Sequence, residues 1–172
     1  MASVPRPSIE ETPPFYRGYV SEVAGDDLFA ALEQASRELH RFIDALPPDR
    51  HEHRYAPGKW SVKEVVQHVV DAERIFAYRA LRFARNDATP LPGFDENIYV
   101  PEARSNARTL EAIMREHDAV RTASIELFRG LDAEAIDHAG TANGKPIGVR
   151  AIAWTIAGHA MHHLTVLRER YL

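Results

Sequence analysis

Apolar residues recur along this chain in steps of three and four, in four separate stretches. In the first, Leu28, Leu32, Ala35, Leu39, Phe42 and Leu46 trace one face of a helix. Asp26 or Asp27 can cap it, and Pro47-Pro48 ends it. The second opens on Ser61-Val62-Lys63-Glu64, a capping box, with Trp60 and Val65 spaced as a hydrophobic staple around it. The helix that follows runs to about Arg85, with Val62, Val65, Val69, Ala72, Phe76, Ala80 and Phe83 inward. A third helix begins near Arg108 or Thr109 and ends at Gly130; its stripe is Leu110, Ile113, His117, Val120, Ser124, Leu127 and Leu131. The fourth covers about 149–170, with Ile152, Ile156, His159, His163 and Val166 on one stripe.

The intervening stretches set the topology. Residues 1–25 hold Pro5, Pro7, Pro13, Pro14, Gly18 and Gly25 and read as an irregular arm, anchored to the body by Phe15, Tyr16 and Tyr19. The domain proper is 26–172. Between the second and third helices lies a connection, 87–107, too long for a tight antiparallel turn. It predicts a crossover that leaves those two helices parallel. Residues 131–147 form a second connector, with a turn expected at Asn143-Gly144 and no convincing strand pattern. The expected fold is therefore all-α, a four-helix bundle with a long crossover between helices two and three.

Composition narrows the chemistry. With 172 residues, 45% of them hydrophobic and 27% charged, the chain reads as one ordinary globular domain. A net charge of −4 gives no support for nucleic-acid or anionic-membrane binding. The N-terminal residues lack the apolar core of a signal peptide, and no apolar run approaches a membrane span, so the expected location is the cytoplasm. There is no cysteine, which leaves His, Asp and Glu as the only side chains able to hold a metal.

Three of the nine histidines lie in Gly158-His159-Ala160-Met161-His162-His163. His159 and His163 stand at i and i+4, so a helix stacks their imidazoles on one face, where both can reach one cation. A pair of core histidines, hydrogen-bonded to side chains or water, fits that spacing equally well. His68 sits on or beside the inward face of the second helix and could join them. His162 is turned off the 159/163 face, since each residue advances 100°. His117 is inward on the third helix, a candidate for proton transfer or a hydrogen-bonded core residue. His40, His51, His53 and His138 fall on the solvent side or in loops; the His51-Glu52-His53 cluster lies on a connector unsuited to fixed ligand geometry.

Two stretches together resemble the DinB/YfiT superfamily. Tyr55-Ala56-Pro57-Gly58-Lys59-Trp60-Ser61-Val62-Lys63-Glu64-Val65-Val66-Gln67-His68, followed by Asp71-Ala72-Glu73, is similar to its first signature, and Gly158–His163 to its second. The loop Leu91-Pro92-Gly93-Phe94-Asp95-Glu96 is similar to one subgroup, and the resemblance spans about 26–170. Many members continue the second signature with Arg-Gly-Gln, whereas this chain has Leu164-Thr165-Val166. The resemblance implies a four-helix bundle, often a homodimer, holding one divalent metal ion, typically zinc or nickel. The ligands it implies are His68, His159 and His163.

Three neutral imidazoles would leave a metal with an open position, an arrangement suited to catalysis more than to structure. Such a site can activate a water for hydrolysis or a thiol for transfer. The family includes transferases that use low-molecular-weight thiols, so the resemblance favours a small-molecule substrate of that class. A metal-dependent hydrolase and a non-catalytic metal- or ligand-binding bundle are the competing readings. Asp95 and Glu96 on the crossover, and Asp71 one turn after His68, are the candidate general bases, with solvated surface acids the competing reading for Asp95 and Glu96. Asp71 could instead orient His68. A di-iron carboxylate site is not expected, because Val65 and Ile156, not Glu, precede His68 and His159 by three residues.

Overall fold

The computed structural model describes residues 3–172; Met1 and Ala2 of the predicted arm lie outside the described residues. Its elements are α1 (Arg17–Glu22), α2 (Leu28–Asp44), α3 (Val62–Ala84), α4 (Glu96–Glu102), α5 (Leu110–Arg129), α6 (Ala133–Asp137), β1 (Ala139–Ala142), β2 (Lys145–Gly148) and α7 (Val149–Arg170). The long helices α2, α3, α5 and α7 are the four expected from periodicity. The starts of α2, α3 and α5 follow from local chemistry, while α7 begins after Gly148 with no side-chain cap. Asp27 accepts from the backbone N–H groups of Phe29 and Ala30, Thr109 from that of Ala112, and Ser61 and Glu64 close the capping box in both directions.

Side-chain pairs give the directions. Arg108, just before α5, donates to Gln67 near the start of α3, and Arg121 pairs with Glu73 further along both helices. Thus α3 and α5 are parallel, as the crossover requires. On α7, His159 reaches His68 while Tyr171, just beyond the helix, donates to the Trp60 carbonyl just before α3, so α7 is antiparallel to α3. Arg129 stacks over Phe29, and His40 bonds Asp118, which sets α2 antiparallel to α5.

Two apolar cores fill the bundle. One gathers Leu28, Leu32, Phe76, Phe83, Phe128, Ile152, Trp154 and Ile156; the other holds Leu39, Phe42, Val66, Leu110, Ile113, Leu164 and Leu167. A third, small apolar contact joins Ala35, Val69 and Ala160, with Met161 against it. The middle layer at this contact carries the buried polar side chains His68, Glu73, His117, Arg121, Ser124 and His159. Small residues at this level make room for imidazoles.

Three expectations need correction. The arm is not wholly irregular: a 3-10 turn at Pro14–Tyr16 leads into α1, which packs against α7. Every residue from Ala151 to Ala160 is buried in consequence, as befits a helix covered on all sides. Residues 139–148 form an antiparallel hairpin rather than a plain connector. Its turn is the expected Asn143-Gly144, both at positive φ (51° and 69°), the conformation a two-residue hairpin demands. AGTA and KPIG lack the β-branched alternation that marks a strand, which hid it. Leu91 of the crossover bridges to this hairpin through Thr141 and Asn143. Finally, the inward stripe of α5 follows Arg121, Ile125 and Phe128, one residue on from the expected Val120 and Leu127, which are half-buried. A charged residue was the better core position because Glu73 neutralises it.

Candidate metal centre

The Nε2 atoms of His68, His159 and His163 converge in the middle layer. His159 Nε2 lies 3.2 Å from that of His68 and 3.1 Å from that of His163. The rings stand edge to face or tilted, with centroids 4.5–5.0 Å apart. An imidazole nitrogen carries either one N–H or one in-plane lone pair. His159 Nε2 can therefore satisfy one of its two close neighbours but not both, in either tautomer. A cation between three lone pairs removes that conflict. Zinc–nitrogen bonds of about 2.0–2.1 Å in tetrahedral geometry would hold the nitrogens about 3.3 Å apart, close to the separations seen.

The electrostatics agree. Burial pushes the His68 imidazole down to about 4 and that of His163 down to about 3; His159, enclosed by burial and by its neighbours His163 and His68, is also well below the usual histidine range. All three are neutral at pH 7, so their lone pairs are available without loss of a proton. The four long helices set this up by spacing: one turn of α7 carries two of the rings, and the capped start of α3 places the third.

A cavity of about 110 Å³ opens beside His68 and His159, walled by Tyr16, Tyr19, Phe76, Arg79, Phe94, Glu96 and Asn143. A second cavity, of about 260 Å³, reaches His163 and is lined by Tyr55, Lys59, Trp60, Asn97 and Tyr171. Both reach the start of α4, where Glu96 lines the first and Asn97 the second. Tyr19 stacks edge-on against His159, with ring centroids 5.3 Å apart, and its hydroxyl is pushed up chiefly by burial. Trp60 packs on His68 at 4.9 Å.

The candidate acids divide. Glu96 lines the smaller cavity, close enough to His68 to oppose the effect of burial on that ring. Asp95 is the N-cap of α4, its Oδ1 accepting from the Asn97 N–H at 2.8 Å. Asp71 accepts from Gln67 and faces a neighbouring groove of about 450 Å³ with Arg74, Ile75, Ile98 and Tyr99, not the histidine cavity; burial pushes its carboxyl up. His162 bonds Glu22 of α1 at 2.9 Å, off the cluster as its angle implied. His117 is buried beside Asp118 and His40, with its Nε2 unpartnered. His40, His117 and Asp118 bring ligand-type atoms together on the α2/α5 side, where the direct hydrogen bonds from both rings to Asp118 Oδ1 account for their placement.

Sequence reasoning missed Tyr19, Arg79 and Asn143 as walls of the site. The three aromatics of the arm were legible as anchors, but nothing local says what they anchor to. Gly158 held the missing signal. A Cβ there would overlap the Tyr19 carbonyl, so the glycine exists to let α1 lie on α7 at the level of the histidines.

Residues 31–167 match the sequence profile of the DinB superfamily. The chain belongs to that superfamily. Among curated relatives, a protein of Bacillus mycoides named "putative metal-dependent hydrolase" is 26% identical over 162 residues, covering 90% of this chain and 91% of its own. One of Oceanobacillus iheyensis with the same description is 23% identical over 140 residues, covering 80% and 79%. Among solved structures, YfiT of Bacillus subtilis, described as a probable metal-dependent hydrolase with an unusual four-helix bundle topology, superposes with a TM-score of 0.72. It is 16% identical, over 83% of this chain and 82% of that one. The mycothiol-dependent maleylpyruvate isomerase matches with a TM-score of 0.67 at 14% identity, over 80% of this chain and 58% of that longer one. These superpositions carry the bundle fold. Among the described residues, no helix is long and apolar enough to cross a membrane.

Proposed function

We infer that this DinB protein is a metal-dependent enzyme that transfers a low-molecular-weight thiol to a small electrophile. The observation that carries this reading is that two cavities end on one three-histidine centre, His68 and His159 lining one and His163 the other, because thiol transfer brings two substrates to one point. His68, His159 and His163 would hold a divalent ion, zinc or nickel by their donor type. When bound, such an ion supplies Lewis acidity, lowering the pKa of a thiol or a water that reaches it.

The chain's own residues do the rest. The larger cavity, with Tyr55, Lys59, Trp60 and Asn97, offers apolar surface and polar groups for the thiol. The electrophile occupies the smaller one, where Tyr19, Phe76 and Phe94 supply apolar walls. Glu96 takes the proton from the sulfhydryl as the carbon–sulfur bond forms, and the leaving group departs with the electron pair of the bond that breaks. Asp71 and Asp95 act, on this reading, through the groove and the helix they support. The curated relatives' descriptions favour a second reading, in which Glu96 deprotonates a water and the reaction is hydrolysis.

A panel decides between them. Metal-reconstituted protein is offered low-molecular-weight thiols with alkyl halides, epoxides and activated alkenes, and separately esters and amides without thiol. Metal-dependent thiol consumption, reduced about 10²- to 10⁴-fold in Glu96→Gln, supports the transferase. Ester or amide cleavage without thiol replaces it with the hydrolase. Metal binding without either turnover leaves a binding module.

A further inference from the structure

Two arginines are buried to a similar degree in this bundle, and they are treated differently. Arg121, 3% exposed, is neutralised by Glu73 through both carboxylate oxygens and also donates to the Leu32 carbonyl. Arg79, 4% exposed, has no carboxylate within ion-pair distance among the described residues. Its one hydrogen bond runs from Nη2 to the Pro92 carbonyl at 3.0 Å, using one of five donors. The guanidinium lies 6.0 Å from the ring centroids of both Phe76 and Phe94, on the wall of the cavity lined by His68 and His159. A buried cation without a counter-charge is costly and persists where something else supplies the anion. Glu96, the one acid on that wall, is exposed to water and lies beyond ion-pair distance.

We propose that Arg79 is the anion-binding residue of the smaller cavity, so that the electrophile accepted there is a small carboxylic acid. The guanidinium fork matches a carboxylate's two oxygens, and about 110 Å³ admits that group on a short chain. This rests on the reading of the site given above, with the carboxylate held by Arg79 and the reacting carbon turned toward the histidines. Pro92 and Phe94 belong to the same crossover loop, so the loop fixes the fork by its carbonyl and brings an aromatic ring near it.

The test uses the full chain, metal-free and zinc-loaded, with propionate as probe and propionamide as its neutral match. In the metal-free protein, direct ligation of a cation cannot account for binding. Propionate is expected to shift the Arg79 Nε–Hε resonance saturably while propionamide does not. Affinity is expected to fall about tenfold or more in Arg79→Gln, less in Arg79→Lys, which keeps charge and loses the fork, and to rise in Glu96→Gln. An unmoved Arg79 resonance, or a folded Arg79→Gln that binds as tightly as wild type, overturns the proposal. Should Arg79→Gln fail to fold, the wild-type resonance and Arg79→Lys decide. Thiol transfer with no preference for anionic acceptors, unchanged in Arg79→Lys, removes this inference and leaves the transferase standing. Arg79-dependent propionate binding in a protein without thiol turnover does the reverse.

Discussion

Gly158 and Tyr19 meet backbone to backbone: a Cβ on Gly158 would stand inside the carbonyl group of Tyr19. This contact brings α1, an element of only six residues, onto the histidine layer of α7. A glycine inside a helix ordinarily costs stability, and its replacement by alanine should gain up to about 1 kcal/mol. Here the added methyl has backbone, not a flexible side chain, in its way. Gly158→Ala should therefore destabilise the protein, by about 1–3 kcal/mol as overpacking does, and displace Tyr19 from His159. Urea denaturation reads the first effect and tyrosine fluorescence the second. A variant more stable than wild type would show that α1 is free to move.

The Glu73–Arg121 pair joins α3, α5 and, through the Leu32 carbonyl, α2. Both side chains are almost wholly out of water. Removing one partner strands the other, so Glu73→Gln should cost about 3–5 kcal/mol. The double change Glu73→Leu, Arg121→Met leaves no charge behind and should cost much less. Chemical denaturation of wild type and the two variants compares the losses. Equal losses in the single and double variants would mean that packing volume, not charge, is what the pair contributes.

How far this structure was legible varies with how locally each part is encoded. The starts of α2, α3 and α5 could be placed to within a residue or two because Asp27, Ser61-Glu64 and Thr109 cap them by contacts inside one turn, whereas α7, which follows Gly148 with no side-chain cap, was bounded by its periodicity alone. The three histidines could be gathered from an i, i+4 spacing and one inward position. The hairpin, α1 and α4 owe their form to what they lie against. Leu91 pairs with the hairpin, and Gly93 comes so close to the Asn143 side chain that a Cβ would not fit. Arg121 was passed over as a core position because its partner is 48 residues away. Arg79 and Tyr19 entered the site by the same kind of long-range contact.

Acid should weaken the metal-free protein in a defined window. In the unfolded chain a histidine titrates near 6.5, while in the fold His68 is held down to about 4 and His163 down to about 3, and His159 is also lowered, all chiefly by burial. Between those limits the unfolded state takes up protons that the folded state refuses, so stability rises with pH. It is fully present above about 6.5 and is lost as pH falls toward 4, each ring contributing up to about 1.4 kcal/mol per pH unit. Denaturation midpoints of metal-free protein at pH 7.5, 6 and 5, beside those of His68→Gln and His163→Gln, measure the slope. A flat profile across this range would mean that the rings are solvated.

Metal binding should distinguish the histidines from one another. A cation that binds only the folded protein, at about a hundredfold above its dissociation constant, adds about 2.7 kcal/mol. For a domain of this size that is a rise in Tm of roughly 5–11 °C. Zinc or nickel should produce such a rise in wild type, and chelation should reverse it. His68→Ala, His159→Ala and His163→Ala each remove one of three converging nitrogens and should abolish most of it. His162→Ala should keep it, since that ring is bonded to Glu22 outside the cluster. His117→Ala should keep it too, because its ring lies with His40 and Asp118 on the α2/α5 side. Differential scanning calorimetry with and without metal reads all six proteins. If His162→Ala or His117→Ala loses the rise as fully as His159→Ala, the ligand set is not the one the three Nε2 atoms define.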